Sequence, residues 1–425
     1  MRLTRELAER IGGITYEALP REAVQTVKRG IIDCIGVLFA GRGEPVVRIL
    51  LQDLAPGNEA TLLFGERKAR SADAALVNGA AGHALDYDDV AIDGHPSVVL
   101  TPAILAEGER LGASGKELIA AYAAGYETWA ELASRDADKH HGKGWHPTAV
   151  FGTVGAAAAA SRLSRLNTNQ TTHALAIAAS MAGGIGANFG TMTKPFHAGR
   201  AAQSGIQAAR LAAAGMTASP DALEHRIGFL AAFSPQGRID VERSVQQDAW
   251  HILRHGLNIK RYPVCYALHR SIDAVLAMKA AAADVQSVET HIGKLQAGML
   301  RHSSPQNALD AKFSAQFAMA AALTAGKVGL AELSDGFVQR KDVQALMPKV
   351  RVVTTDATDP DDPLFAAFDY VTVNGVKSRE IRHAKGHARN PLTLEELREK
   401  FDDCTGGRQS ALFEKLLHLE SLQKW

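Results

Sequence analysis

The densest polar cluster in an otherwise alanine-rich stretch is His83-Ala-Leu-Asp86-Tyr-Asp88-Asp89, followed closely by Asp93-Gly-His95-Pro-Ser97. Histidine beside carboxylate is a pairing that moves protons near neutral pH. An imidazole ordinarily titrates at about 6.5, and a carboxylate that accepts its ring N–H orients and polarises it. If a helix opens near Ala72 and runs on, the three-residue spacing of His83, Asp86 and Asp89 places them on one face. Buried unpaired among alanines, such groups would be costly. The plainer structural reading is that the aspartates cap or pair at a helix end, with His95-Pro96-Ser97 starting the next helix.

Two metal readings compete at the same cluster. Asp88-Asp89-x-x-x-Asp93 superficially matches the aspartate box by which all-helical prenyl-diphosphate enzymes hold magnesium. That chemistry needs a second acidic helix, and the other dense acidic run, Asp356 to Asp362, is broken by Pro360. His83, Asp86 and His95 could hold zinc, but no HExxH or comparable spacing supports it. No metal is therefore expected.

A second cluster is Thr191-Met-Thr-Lys194-Pro-Phe-His197-Ala-Gly199-Arg200. It leads into an alanine-rich helix, which puts Lys194 near a helix amino terminus, where free N–H groups add to a side-chain cation in attracting anions. A third, Lys260-Arg261-Tyr262-Pro263-Val-Cys265 with His269, reads equally well as a basic loop before a core helix. There is no Walker loop and no GxGxxG opening a βαβ unit, so no nucleotide cofactor is indicated.

These clusters must be held by some scaffold, and the chain has the length for one. Its 425 residues imply two or three domains. Up to about residue 255 the pattern is helical, in runs such as Glu117 to Ala133, Ala149 to Leu163 and Ala198 to Ala214; Ser71 and Ser219-Pro220-Asp221 read as helix starts. After about residue 285 come short β-rich pieces: Val288 to Ile292, Val350 to Val353, and Tyr370 to Ser378 with Asn374-Gly375 as a type I′ turn. A helix over Ala311 to Leu323 lies among them, and Thr393-Leu-Glu-Glu396 forms a capping box for a last helix. The expected class is mainly α, with a large all-helical domain of residues 1–257 and 388–425 and a smaller α+β lid of residues 258–387. A cleft between them is the default site for a small molecule.

Composition narrows the function classes. Forty-seven Lys and Arg against 46 Asp and Glu leave +1, and aromatics are 6%, so neither a basic field nor stacking platforms for nucleic acid are available. The longest uncharged stretch, Leu166 to Thr193, carries Asn167, Gln170, His173 and several glycines, and reads as a buried helix and a loop rather than a membrane span. Cys34, Cys265 and Cys404 show no paired spacing, which suits a reducing cytoplasm. No secretory signal is seen around Arg2, Arg5, Glu6, Glu9 and Arg10.

Taken in order, Asn78 to Ser97 (NGAAGHALDYDDVAIDGHPS), Trp145-His146-Pro147, Thr193 to Gly199 (TKPFHAG), Lys260 to His269 (KRYPVCYALH) and Gly386 to Phe401 resemble the MmgE/PrpD family. That family includes 2-methylcitrate dehydratase, cis-aconitate decarboxylase and iminodisuccinate epimerase. The resemblance implies a homodimer that needs neither metal nor cofactor and acts on a small di- or tricarboxylate losing a proton next to a carboxylate. It places the family's site positions on Asp86, His95, His146 and Lys194, with Lys260 and His269 nearby; these two, with Arg200 and Cys265, are the substrate-binding candidates. Cys265 and Phe317 stand where the decarboxylase branch looks to have histidine and tyrosine, which favours dehydration or epimerisation over decarboxylation.

A proton alpha to a carboxylate is very weakly acidic, so its removal needs a placed base and a cation on the carboxylate. Lys194 suits the second task, His95 or His146 the first, and Asp86 would orient a histidine. The sequence does not say which histidine is base and which is acid. A helical binding protein without catalysis is the remaining alternative.

Overall fold

The alanine-, leucine- and valine-rich runs form helices almost wherever their period is 3.6, and the chain is 55% helix and 8% strand. The computed structural model describes residues 2–63, 65, 67–360 and 365–425; Asp361 and Asp362, the end of the second acidic run, lie outside them. The chain divides into two compact units, one of Met1–Leu257 with Leu397–Trp425, the other Asn258–Glu396.

The first unit is built on α1 (Leu3–Gly13), α2 (Arg21–Gly41), α3 (Ser71–His83), α4 (Ser97–Leu111), α5 (Gly115–Ala133), α6 (Pro147–Leu163), α7 (Thr168–Met181) and α8 (Thr193–Ala213). Local chemistry sets the starts. Ser114 and Glu117 make a reciprocal capping box before α5, Asn167 and Gln170 another before α7, and Pro147 occupies the first turn of α6, where its missing N–H costs nothing. Leu166 to Thr193 is thus α7 and a loop. Among the described residues no helix is long and apolar enough to cross a membrane.

Four local expectations are corrected. Ser71 does not cap α3; it is already helical, and its hydroxyl donates to Glu107 at 2.6 Å. Ser219-Pro220-Asp221 opens no helix, because the chain closes on itself through Gly228 N–H to His225 O and Phe229 N–H to Ala222 O. The helix expected from Ala198 starts at Thr193, which draws Lys194 and Pro195 into its first turn. A two-residue antiparallel pair, Ala60–Thr61 with Lys68–Ala69, interrupts the helical pattern; it is too short to show an alternating signature.

The packing of α3 on α8 prepares the site. A Cβ on Gly199 would lie 2.0 Å from the Leu76 carbonyl oxygen, and one on Gly79 would lie 2.8 Å from the Gly199 Cα. Only paired glycines allow the two backbones this close. The crossing sets the exit of α3, at His83, beside the first turn of α8, at Lys194.

In the second unit a four-stranded sheet is covered by α9 (His269–Met278) and α10 (Ala315–Ala325). Strand β1 (Val288–Gly293) pairs in parallel with β2 (Val350–Thr355), Val288 opposite Val350, and antiparallel with β3 (Tyr370–Val373), Val288 opposite Val373. Strand β4 (Val376–Lys377) closes on β3 through Asn374 (φ 49°) and Gly375 (φ 80°), the type I′ turn anticipated from Asn-Gly. The helix expected over Ala311 to Leu323 is broken, because the Ser314 hydroxyl caps the Phe317 N–H at 3.1 Å and restarts it. The core here holds Leu268, Ile272, Val288, Phe317, Met319 and Val371. Helix α11 (Leu394–Thr405) opens on the Thr393–Glu396 capping box and carries the chain back to the first unit.

Candidate active site

The chain leaves α3 at His83, so His83, Asp86 and Asp89 do not share a helical face as their spacing suggested. Asp86 instead takes a left-handed conformation, φ 53°. Beyond it, Ala91 and Gly94 exchange two backbone hydrogen bonds around Ile92 (φ 46°) and Asp93 (φ 61°), a tight turn with both central residues left-handed. A β-branched residue resists that region. The surroundings hold the strained loop: Lys400, buried on α11, donates to the Tyr87 carbonyl at 2.9 Å and pairs with Asp33, while Lys139 pairs with Asp93.

This loop turns Asp88 and Asp89 to different partners. The Asp88 carboxylate, fully buried, accepts from His83 Nδ1 at 3.0 Å and lies 2.8 Å from His95 Nδ1. Burial alone would raise its pKa, but the two imidazoles outweigh that and hold it well below the ordinary carboxylate value. Asp89 accepts from the Ser97 N–H and hydroxyl, and the Ser97 oxygen in turn accepts from the Tyr122 hydroxyl at 2.6 Å. Burial drives the Asp89 carboxyl well above its ordinary value, which favours its neutral form. Adjacent aspartates are thus shifted in opposite directions.

Asp89 gives a pH test of stability. Between the unfolded value near 3.9 and its raised native value, the unfolded chain loses the proton that the native protein keeps, so stability falls as pH rises through that window. Asp89→Asn preserves the hydrogen-bonding shape without the ionisation. It should therefore match wild type at low pH and gain on it as pH rises, in urea unfolding at pH 4.5 and pH 8; a stability gap independent of pH would contradict the upward shift.

Across the loop, Lys194 in the first turn of α8 donates to Asp86 Oδ1 at 2.8 Å, and the same oxygen lies 3.9 Å from His95 Nε2. His95 is fixed through its own N–H to the Thr148 hydroxyl at 3.2 Å. His146, at the amino-terminal cap of α6, lies with its Nδ1 3.2 Å from His197 Nδ1, one donating to the other, and its ring stacks on His83 at 5.9 Å. Burial first, then the neighbouring His83, His95 and Lys194, hold His146 far toward the neutral form; burial does the same to His197 and brings His83 down to about 4. The cluster therefore contains one ammonium, two carboxylates and a set of imidazoles of which three are held neutral. Exposed Phe189 lies beside it, its ring 5.7 Å from the Lys194 ammonium.

The structure brings together Asp86, His95, His146 and Lys194. Arg200 turns instead to Gln203 at 2.5 Å, which is tied in turn to Asp73. Lys260, Cys265 and His269 belong to the second unit. There Lys260 is buried, Cys265 is half-buried, and His269 lies buried between Tyr262 and Tyr266, its Nε2 3.3 Å from the Val264 carbonyl. Phe317, one of two departures weighed against decarboxylation, is a core residue packed edge-on against Phe337.

Sequence reasoning read Asp88 as a metal ligand or as one of the aspartates capping or pairing at a helix end, and left His197 without a role, although both stand in the quoted motifs. Lys400, within the Gly386 to Phe401 stretch, was likewise given no role. His83, Asp86, Asp88 and His95 do offer ligand atoms within 4.8 Å of one another. In this arrangement Asp86 is paired with Lys194, and Asp88 stands between the two imidazoles. Asp88, Asp89 and Asp93 do not converge as a diphosphate–magnesium site needs, since each is committed to a different partner.

Comparison with known proteins agrees with the motifs. Residues 5–242 match the MmgE/PrpD N-terminal domain and residues 262–418 the MmgE/PrpD C-terminal domain. The chain is 30% identical over 422 residues to cis-aconitate decarboxylase of Mus musculus, covering 94% of this chain and 86% of that protein. The Homo sapiens enzyme of the same name is 30% identical over 424 residues, with 94% and 87% covered. That of Aspergillus terreus is 25% identical over 400 residues, with 86% and 81% covered. On these matches, which run through both units, the chain belongs to the MmgE/PrpD family.

Proposed function

We propose that this chain is a lyase of the 2-methylcitrate dehydratase type, taking a proton from the carbon next to a carboxylate of a small di- or tricarboxylate. The observation that carries the reading is the convergence of Lys194, Asp86 and His95. An ammonium able to receive a carboxylate stands across one oxygen from an imidazole able to exchange a proton. Substrate binding would replace Asp86 on Lys194 by the substrate carboxylate. The ammonium would then stabilise the enediolate charge as His95 withdraws the alpha proton. The hydroxyl would leave against a hydrogen bond from His146, held neutral, and take up the proton that His95 carries, so that water departs and the base is restored. The chain's own groups thus supply base, donor and anion receptor.

Decarboxylation is the second reading, favoured by the names of the relatives and by the core position of Phe317. Loss of carbon dioxide leaves the same carboxylate-stabilised charge, which a protonated His95 would quench. The deciding experiment incubates the protein in deuterium oxide with 2-methylcitrate, citrate, cis-aconitate and iminodisuccinate, followed by NMR. Deuterium at the alpha carbon with water loss supports the dehydratase reading. Carbon dioxide release from cis-aconitate supports the second, and exchange without bond loss an epimerase. No exchange with any of the four would overturn proton transfer at this site.

A further inference from the structure

We propose that Asp88 is the positioning residue of the proton-transfer histidine: it holds the Nδ1–H of His95 and so leaves Nε2 as the nitrogen that meets substrate. The inference rests on the proposed function for its catalytic meaning, but not for its structural content. Three observations support it.

The distances come first. Asp88 Oδ2 is 2.8 Å from His95 Nδ1, while His95 Nε2 faces the Asp86–Lys194 pair at 3.9 Å, so the two ring nitrogens have different neighbours. The ring N–H meets no strict hydrogen-bond geometry at rest, but a carboxylate at this distance can only accept, which favours the proton of neutral His95 on Nδ1.

The second is the other arm of Asp88. His83 Nδ1 donates to both of its oxygens at 3.0 Å, and the His83 ring lies 4.5 Å from that of His95. His83 is fully buried, and its Nε2 has no hydrogen-bond partner among the described residues. It therefore serves as an anchor that keeps the carboxylate ionised and directed, with burial holding the ring itself neutral. The third is accessibility. The His95 side chain is 13% exposed whereas Asp88 and His83 are closed off, so within this trio only His95 is open to a ligand. His146 lacks such a carboxylate and contacts another imidazole instead, so it is the poorer carrier of a positive charge. The question left open by the sequence, which histidine is the base, is answered by the carboxylate behind one of them.

The test needs no substrate at its first step. In protein labelled with ¹⁵N-histidine at pH 8.5, the His95 resonances, assigned by their disappearance in His95→Gln, should show the proton on Nδ1 and a bare Nε2. A proton on Nε2 with bare Nδ1 would overturn the proposal. In Asp88→Asn the tautomer should redistribute and kcat should fall about 100-fold with KM within about threefold, as expected when orientation of a base is lost. An unchanged tautomer, or wild-type kcat, would also overturn it. Should Asp88→Asn not fold, the wild-type tautomer decides alone. If wild type turns over none of the polycarboxylates, the functional reading fails while the tautomer still judges this inference.

Discussion

Lys194→Met should lower kcat/KM by about 100- to 1000-fold, the usual cost of removing one donor that meets charge developing in a transition state. The loss should appear in kcat as well as in KM. A substrate carboxylate carries one negative charge in the ground state, and more charge flows onto its oxygens as the neighbouring carbon loses its proton, so the ammonium interacts more strongly in the transition state. Stability should hardly move. The Lys194–Asp86 pair is 19% and 31% exposed, and a pair that open to solvent contributes at most about 1 kcal/mol. Lys194→Arg keeps the charge but places a larger planar fork in the first turn of α8, and should recover only part of the rate. Steady-state kinetics beside urea unfolding check this. Activity of Lys194→Met within tenfold of wild type would remove the lysine from the chemistry.

That lysine was legible in the sequence for a reason that holds elsewhere in the chain. A motif such as TKPFHAG compresses several physical requirements into seven residues: the cation, a proline tolerated only in a first turn, and the glycine that lets α8 cross α3. The helical period, the two-residue Asn374-Gly375 turn and the Thr393–Glu396 box are likewise local, and local chemistry is what a sequence displays. Asp88 shows the limit. Nothing in its neighbours says that it faces His83 and His95 while Asp89 faces Ser97, because that depends on left-handed residues at Asp86, Ile92 and Asp93, which are not glycine and carry no mark of it. Lys400, over 300 positions away, pins the same loop through the Tyr87 carbonyl. Its partner is set by tertiary packing, so its role could not be read from spacing.

His95→Gln should abolish turnover, by about 1000- to 10,000-fold, the upper range for a positioned acid–base group. Glutamine keeps a hydrogen-bonding end of similar length but can neither hold nor release a proton at working pH, so folding and ligand binding should survive. Two roles for His95 give different results in deuterium oxide. A base that takes the alpha proton is needed for exchange itself, so its loss removes exchange and turnover together. A group that only assists the leaving hydroxyl is needed later; its loss would stop product formation yet leave exchange running. The carboxylate of Asp88 behind Nδ1 and the placement of Nε2 beside the Lys194–Asp86 pair support the first role, and both signals should vanish in His95→Gln. His146→Gln should behave differently. With its imidazole held neutral by burial and its Nδ1 against His197, His146 offers a hydrogen bond rather than a proton. Its replacement should slow product formation while alpha exchange persists at a measurable rate. Exchange that survives in His95→Gln and disappears in His146→Gln would reverse the two assignments.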